Sequence, residues 1–72
     1  MDPSEIARLQ HYFRTKFGLK TLSVRPRPSK ADSAEVYIGD EFLGVLFRDD
    51  EDGEVSYDFN MAILDIDLPR SI

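Results

Sequence analysis

The run Asp49-Asp50-Glu51-Asp52-Gly53-Glu54 is the densest set of oxygen donors in the chain. Hard cations such as calcium take oxygen ligands, so this run is the first place to look for chemistry. It fails as a calcium loop. With Gly53 at the sixth loop position, the first is Arg48 and the twelfth is Phe59, where an EF-hand needs an acidic ligand and a bidentate glutamate. Asp50 and Asp52 fit, but a solvated, like-charged turn is the reading the pattern supports. His11 is the only histidine, and no cysteine is present to share a metal with it. Ser4, Ser23, Ser29, Ser33, Ser56 and Ser71 all lack the glycine setting of a nucleophile elbow. The paired carboxylates cluster in turns and do not flank an evident cleft. The sequence therefore points to no catalytic residue, no metal, no cofactor and no small-molecule substrate, and the expectation is a protein that is not an enzyme.

The basic residues form a second set. Residues 1–30 carry seven Lys or Arg against two acids, a net of +5; residues 31–72 carry two against twelve, a net of −10. Lys20, Arg25, Arg27 and Lys30, preceded by Lys16, run through segment 16–30. Phosphate backbones bind such clusters, so these residues are candidates for an anion, an RNA or the ribosome. No aromatic RNA-binding motif, KH loop or helix-turn-helix accompanies them, and the acidic half opposes nucleic acid. The split charge also suits head-to-tail association between copies.

The third set is apolar. Tyr37, Phe42 and Leu46 fall together on one face of the strands deduced below, with Leu64, Ile66 and Leu68 in a C-terminal segment. Exposed contiguous apolar groups mark interfaces. Either the C-terminal segment covers this face or another molecule does.

These sets must be positioned by local structure. Asp2-Pro3-Ser4-Glu5 is a helix start: Asp2 caps, Pro3 suits the first turn and Glu5 completes a capping box. Ile6, Leu9, Phe13 and Phe17 then form one stripe, and Gly18 ends the helix with Leu19 folding back in a Schellman motif. Leu19–Arg25 changes to the two-residue alternation of a strand, which Pro26 and Pro28 stop, leaving Pro26–Ser33 as a loop. Ala34, Val36 and Ile38 alternate up to Gly39-Asp40, a two-residue hairpin signal with glycine first. Ile38 opposite Glu41 sets Tyr37 against Phe42, Val36 against Leu43, Glu35 against Gly44 and Ala34 against Val45. A five-residue loop then sets Arg48 against Glu54, Phe47 against Val55, Val45 against Tyr57 and Leu43 against Phe59. After Phe59 the alternation loses phase, so a bulge or bend is expected near Asn60–Ile63.

The run Ser33–Phe42, with Asp49–Gly53 and Met61–Leu68, resembles a family of short bacterial proteins, mainly alphaproteobacterial, described only as a domain of unknown function. The likeness spans nearly the whole chain. It implies a stand-alone bacterial cytoplasmic protein and carries no activity, cofactor or site residue.

The reading is one α+β domain over 1–72: an N-terminal helix packed on one face of a four-stranded antiparallel meander, with a short C-terminal strand as a permitted addition and 69–72 as a frayed tail. The expected core is Ile6, Leu9, Phe13, Phe17, Leu22, Val24, Val36, Ile38, Leu43, Val45, Phe47, Val55, Tyr57 and Phe59. So small a domain buries a modest core, and without cysteine it has no disulfide staple. Met1–Glu5 has neither the basic nor the apolar region of a secretory leader, and no apolar run approaches the ~20 residues of a membrane span. The expected function is a cytoplasmic protein-interaction module that self-associates through Tyr37, Phe42, Leu46, Leu64 and Ile66. The alternative is an RNA- or ribosome-associated protein using segment 16–30.

Overall fold

In the computed structural model, which describes residues 1–51 and 53–72, helix α1 spans Pro3–Phe17 and is followed by strands β1 (Leu22–Arg27), β2 (Lys30–Ile38), β3 (Glu41–Asp49) and β4 (Ser56–Asn60). The strands form one antiparallel sheet in the order β1-β2-β3-β4, and α1 packs on one face of it, chiefly over β1.

The helix is set by its ends. Asp2 accepts the Glu5 N–H at 2.7 Å and Glu5 accepts the Asp2 N–H at 3.3 Å, a reciprocal capping box. At the other end Gly18 takes the left-handed conformation (φ 65°), and the Leu19 N–H reaches the Arg14 carbonyl at 3.1 Å, the six-to-one bond of a Schellman motif. Ile6, Leu9 and Leu19 pack against a buried core of Phe13, Leu22, Val24, Ala34, Val36 and Leu46. Phe17 departs from expectation. As the last helical residue it stacks on Phe13 from the rim (5.6 Å) and remains 54% exposed.

Pro26 does not end β1. The strand continues to Arg27, and a tight turn at Pro28-Ser29 leads directly into β2, so the expected loop 26–33 is mostly strand. The reason is position: β1 is an edge strand, which can spare the N–H that proline lacks, and the ladder takes up the change with a shift between Pro26 and Arg27. The helix occupies the rest of this edge. Gln10 Oε1 accepts the Val24 N–H at 3.1 Å, and Arg14 Nε donates to the Leu22 carbonyl at 2.7 Å.

The β2–β3 hairpin begins as expected. Gly39 has φ 59° and Asp40 a negative φ, as a turn with glycine in first place requires, and Ile38 pairs with Glu41 and Tyr37 with Phe42. Then the register shifts. Val36 pairs with Gly44, Glu35 with Val45 and Ala34 with Leu46, leaving Leu43 as the extra residue of a β-bulge. A one-residue shift turns each later side chain to the other face. Leu46 therefore lies in the core, 1% exposed, whereas Phe47 is 44% exposed on the opposite face beside half-buried Val45. The expected placing of Leu46 outside and of Val45 and Phe47 inside is corrected by this bulge.

Strand β4 pairs three residues out of the expected register, Arg48 with Tyr57 and Leu46 with Phe59. This second odd shift restores the faces, so Tyr57 and Phe59 lie on the helix side, half-buried. Val55 precedes the strand and is exposed, and the expected Arg48–Glu54 pair does not form. The sheet ends at Asn60, where a bend was expected. Beyond it there is no fifth strand. Asp65–Asp67 form one 3₁₀ turn, in which the Leu64 N–H donates to Asp67 Oδ2 at 3.1 Å, a local bond that competes with strand pairing. Among the described residues no helix is long and apolar enough to cross a membrane.

Candidate functional site

With one helix on one face, the sheet has an outer face whose side chains need another cover. On the β1–β2 half that face is polar and internally satisfied. The Arg25 guanidinium lies 3.9 Å from the centre of the Tyr37 ring and donates to the Gly39 carbonyl at 3.1 Å. The Tyr37 hydroxyl donates to Glu35 at 2.9 Å, a bond to a carboxylate that raises the phenol above its ordinary pKa. Arg27 donates to Ser33 Oγ at 3.2 Å and sits 3.9 Å from Glu35. Along β3 the same face is apolar, whereas β4 presents Ser56, Asp58 and Asn60 on it. Phe42 meets Tyr37 edge-on, with ring centres 5.7 Å apart, and is 51% exposed. Phe42, Val45, Phe47, Met61 and Ala62 line one shallow depression there.

Of the interface candidates, Tyr37 and Phe42 are thus neighbours on the outer face. Leu46 is not with them, because the bulge turns it into the core. Leu64 and Ile66 are exposed in the C-terminal segment, and neither lines the depression around Phe42. Of the basic candidates, Arg25 and Arg27 project from the outer face of β1 into bonds with their own chain. Lys20 is exposed just before β1 and Lys30 is exposed opposite Arg27 at its far end, so the length of the strand, about 16 Å at ~3.3 Å per residue, separates them. The four do not form one patch.

A third arrangement lies on the helix side. The Tyr57 hydroxyl donates to Glu5 Oε2 at 2.6 Å, and Arg48 Nε lies 3.0 Å from the same oxygen. The Arg48 Nε is sealed from solvent and its N–H does not point along that line, so the contact is an ion pair without a hydrogen bond. The hydrogen bond from Tyr57, the capping N–H bond and the Arg48 charge hold the Glu5 carboxyl below its ordinary pKa. The bond to Glu5 in turn raises the Tyr57 phenol. This cluster ties the start of α1 to β3 and β4. Its carboxylate accepts the Asp2 N–H and the Tyr57 hydroxyl and pairs with Arg48, while His11 is exposed on the helix. Sequence reasoning assigned Glu5 to the cap and Arg48 to Glu54. The signal that points to the cluster is parity: once Leu46 faces the core, Arg48 does too, and a core-facing tyrosine hydroxyl needs a partner.

Beside the cluster, α1 and the sheet diverge. A groove of about 480 Å³ runs between them, with Arg8, Leu9 and Tyr12 on the helix side and Leu46, Tyr57 and Phe59 on its floor. In the acidic loop Asp50 accepts from Arg48 at 3.0 Å and Asp49 accepts the Glu51 N–H at 3.0 Å. Asp52, one of the two residues that fitted a calcium loop, lies outside the described residues. Among the described residues no three carboxylate or imidazole groups are gathered as a metal site.

The family model described as "Protein of unknown function (DUF3126)" matches residues 5–67. No curated protein and no solved structure matches the chain.

Proposed function

The chain belongs to that family of proteins of unknown function, and since the family's description assigns no activity, we propose from the surface itself that this is a non-enzymatic protein-interaction module that self-associates through its outer sheet face. One observation carries the reading: Phe42, Phe47 and Met61 lie together on that face with about half of each residue in solvent. A single helix covers one face of a sheet, and a small domain without disulfides gains from a partner that covers the other. Tyr37 extends the surface as an aromatic with a polar tip, and the C-terminal Leu64 and Ile66 supply further exposed apolar area. We take the protein as cytoplasmic, which its charge-rich, cysteine-free sequence allows.

The RNA-binding alternative is less well supported, because Arg25 and Arg27 already serve Tyr37, Gly39, Ser33 and Glu35. Light scattering coupled to size exclusion tests the main reading. The expected mass is twice 8.3 kDa at high protein concentration, and Phe42→Lys with Phe47→Lys returns it to the monomer with circular dichroism unchanged. A monomer at every concentration refutes self-association. Salt-sensitive retardation of RNA that is lost in Arg25→Ala/Arg27→Ala would favour the alternative.

A further inference from the structure

The two edges of the sheet are treated differently. The β1 edge is closed: Gln10 takes the Val24 N–H, Arg14 takes the Leu22 carbonyl, and Pro26 has no N–H to offer. At the β4 edge every second residue turns its N–H and C=O away from β3. Among the described residues no side chain or loop bonds to those groups. An unblocked edge is a template for another strand unless it is covered or charged against pairing.

A second, independent feature lies alongside it. The inner-face residues of β4, Tyr57 and Phe59, form the floor of the groove under α1, and Tyr12 forms part of its wall. A strand added to β4 would direct alternate side chains into that groove. The residues between them would lie on the outer face opposite Ser56, Asp58 and Asn60. Asp58 is the charged member of that row, Asp49 pairs with Ser56 at the start of the strand, and Glu54 precedes that start by two residues. This is the geometry of recognition by strand addition, in which backbone bonds hold the segment and pockets read every second residue.

From these features we infer that β4 accepts, as a fifth strand, an extended segment of another protein that alternates apolar and basic residues. A second copy does not match. Its own apolar-and-basic strand is β1, held by α1, and β4 against β4 about a twofold at Asp58 opposes like charges. The inference goes beyond self-association and uses a different surface.

The test is a nuclear magnetic resonance titration of the full chain with a peptide of about ten residues alternating valine and lysine. It is run on the native sequence and on Phe42→Lys, so that failure of self-association leaves the result readable. The expected shifts fall on amides 56–60 and on Leu9 and Tyr12 in both proteins. Asp58→Lys weakens binding about fivefold or more, as expected for reversing a cross-strand charge pair. Tyr12→Glu, at an exposed position, weakens it while leaving the free spectrum folded. A valine–glutamate peptide binds more weakly still. The inference is overturned by absence of shifts at millimolar peptide, by shifts confined to the Phe42 and Phe47 face, or by equal binding of the acidic peptide. Concentration-dependent protection of the β4 amides without peptide would also overturn it, since a second copy would then hold the edge.

Discussion

Leu46→Ala and Phe47→Ala are adjacent substitutions with opposite expected weights. Leu46 is 1% exposed within the core formed with Phe13, Val36 and Ala34. Truncating a leucine in such a site costs about 2–5 kcal/mol, the transfer loss plus the cavity left behind. For a chain of 72 residues, total stability is roughly 4–11 kcal/mol at the usual ~0.05–0.15 kcal/mol per residue, so this one change removes a large part of it. Phe47 is 44% exposed on the outer face. Its truncation leaves no enclosed cavity and forfeits about 1 kcal/mol of partial burial. Urea unfolding followed by far-ultraviolet circular dichroism separates the two, since a domain this small has a slope of about 1 kcal/mol per molar. The midpoint falls by about 2 M or more for Leu46→Ala and by about 1 M or less for Phe47→Ala. Both are made in the Phe42→Lys background, so that lost self-association does not inflate the Phe47 value. A hairpin without the bulge reverses the order. Equal costs, or a larger cost at Phe47, would refute the register and with it the division of the sheet into its two faces.

Gly44→Ala places a Cβ against the Asn60 carbonyl oxygen and 2.8 Å from Phe59 Cε1. It is expected to cost about 1–3 kcal/mol and to speed amide exchange across β4, and unchanged β4 protection would contradict the close approach. Because the folded Glu5 pKa is depressed, the stability it adds is present above the ordinary glutamate value of about 4.3 and is lost as pH falls through its own lower value. Melting temperature followed from neutral pH into acid should therefore fall less steeply for Glu5→Gln than for the native chain, and parallel curves would remove Glu5 from the account. Asp2→Ala removes the acceptor of the Glu5 N–H and should cost about 1 kcal/mol with loss of helical ellipticity, largely restored by Asp2→Asn.

Much of this protein is written locally. Asp2, Pro3 and Glu5 at one end and Gly18 at the other determine the helix, because caps and glycine conformation act over a few neighbouring residues. Gly39-Asp40 determines the central hairpin for the same reason, and alternation determines that strands follow. The single antiparallel meander with a helix on one face was legible from these signals. The candidate surfaces were legible only in part. Tyr37 and Phe42 flank the hairpin turn, where the register is still local, and they were assigned to the correct face. Leu46 lies past the bulge and was not. Gly44 was read only as the partner of Glu35, and what makes glycine necessary there is the Phe59 ring and the Asn60 carbonyl, brought from a strand whose register depends on the fold. Pro26 reads as a strand stop unless β1 is known to be an edge. The Glu5–Tyr57–Arg48 cluster joins residues 52 apart in the chain through its hydrogen bond, so no local pattern could announce it. Sequence by itself determined the helix and its caps, the Gly39-Asp40 turn, the presence of strands after the helix and the uneven distribution of charge. Tertiary structure alone decided which side of β3 faces the helix, which edge of the sheet is closed and which apolar residues remain in solvent, because each depends on contacts between strands that meet only when the chain is folded.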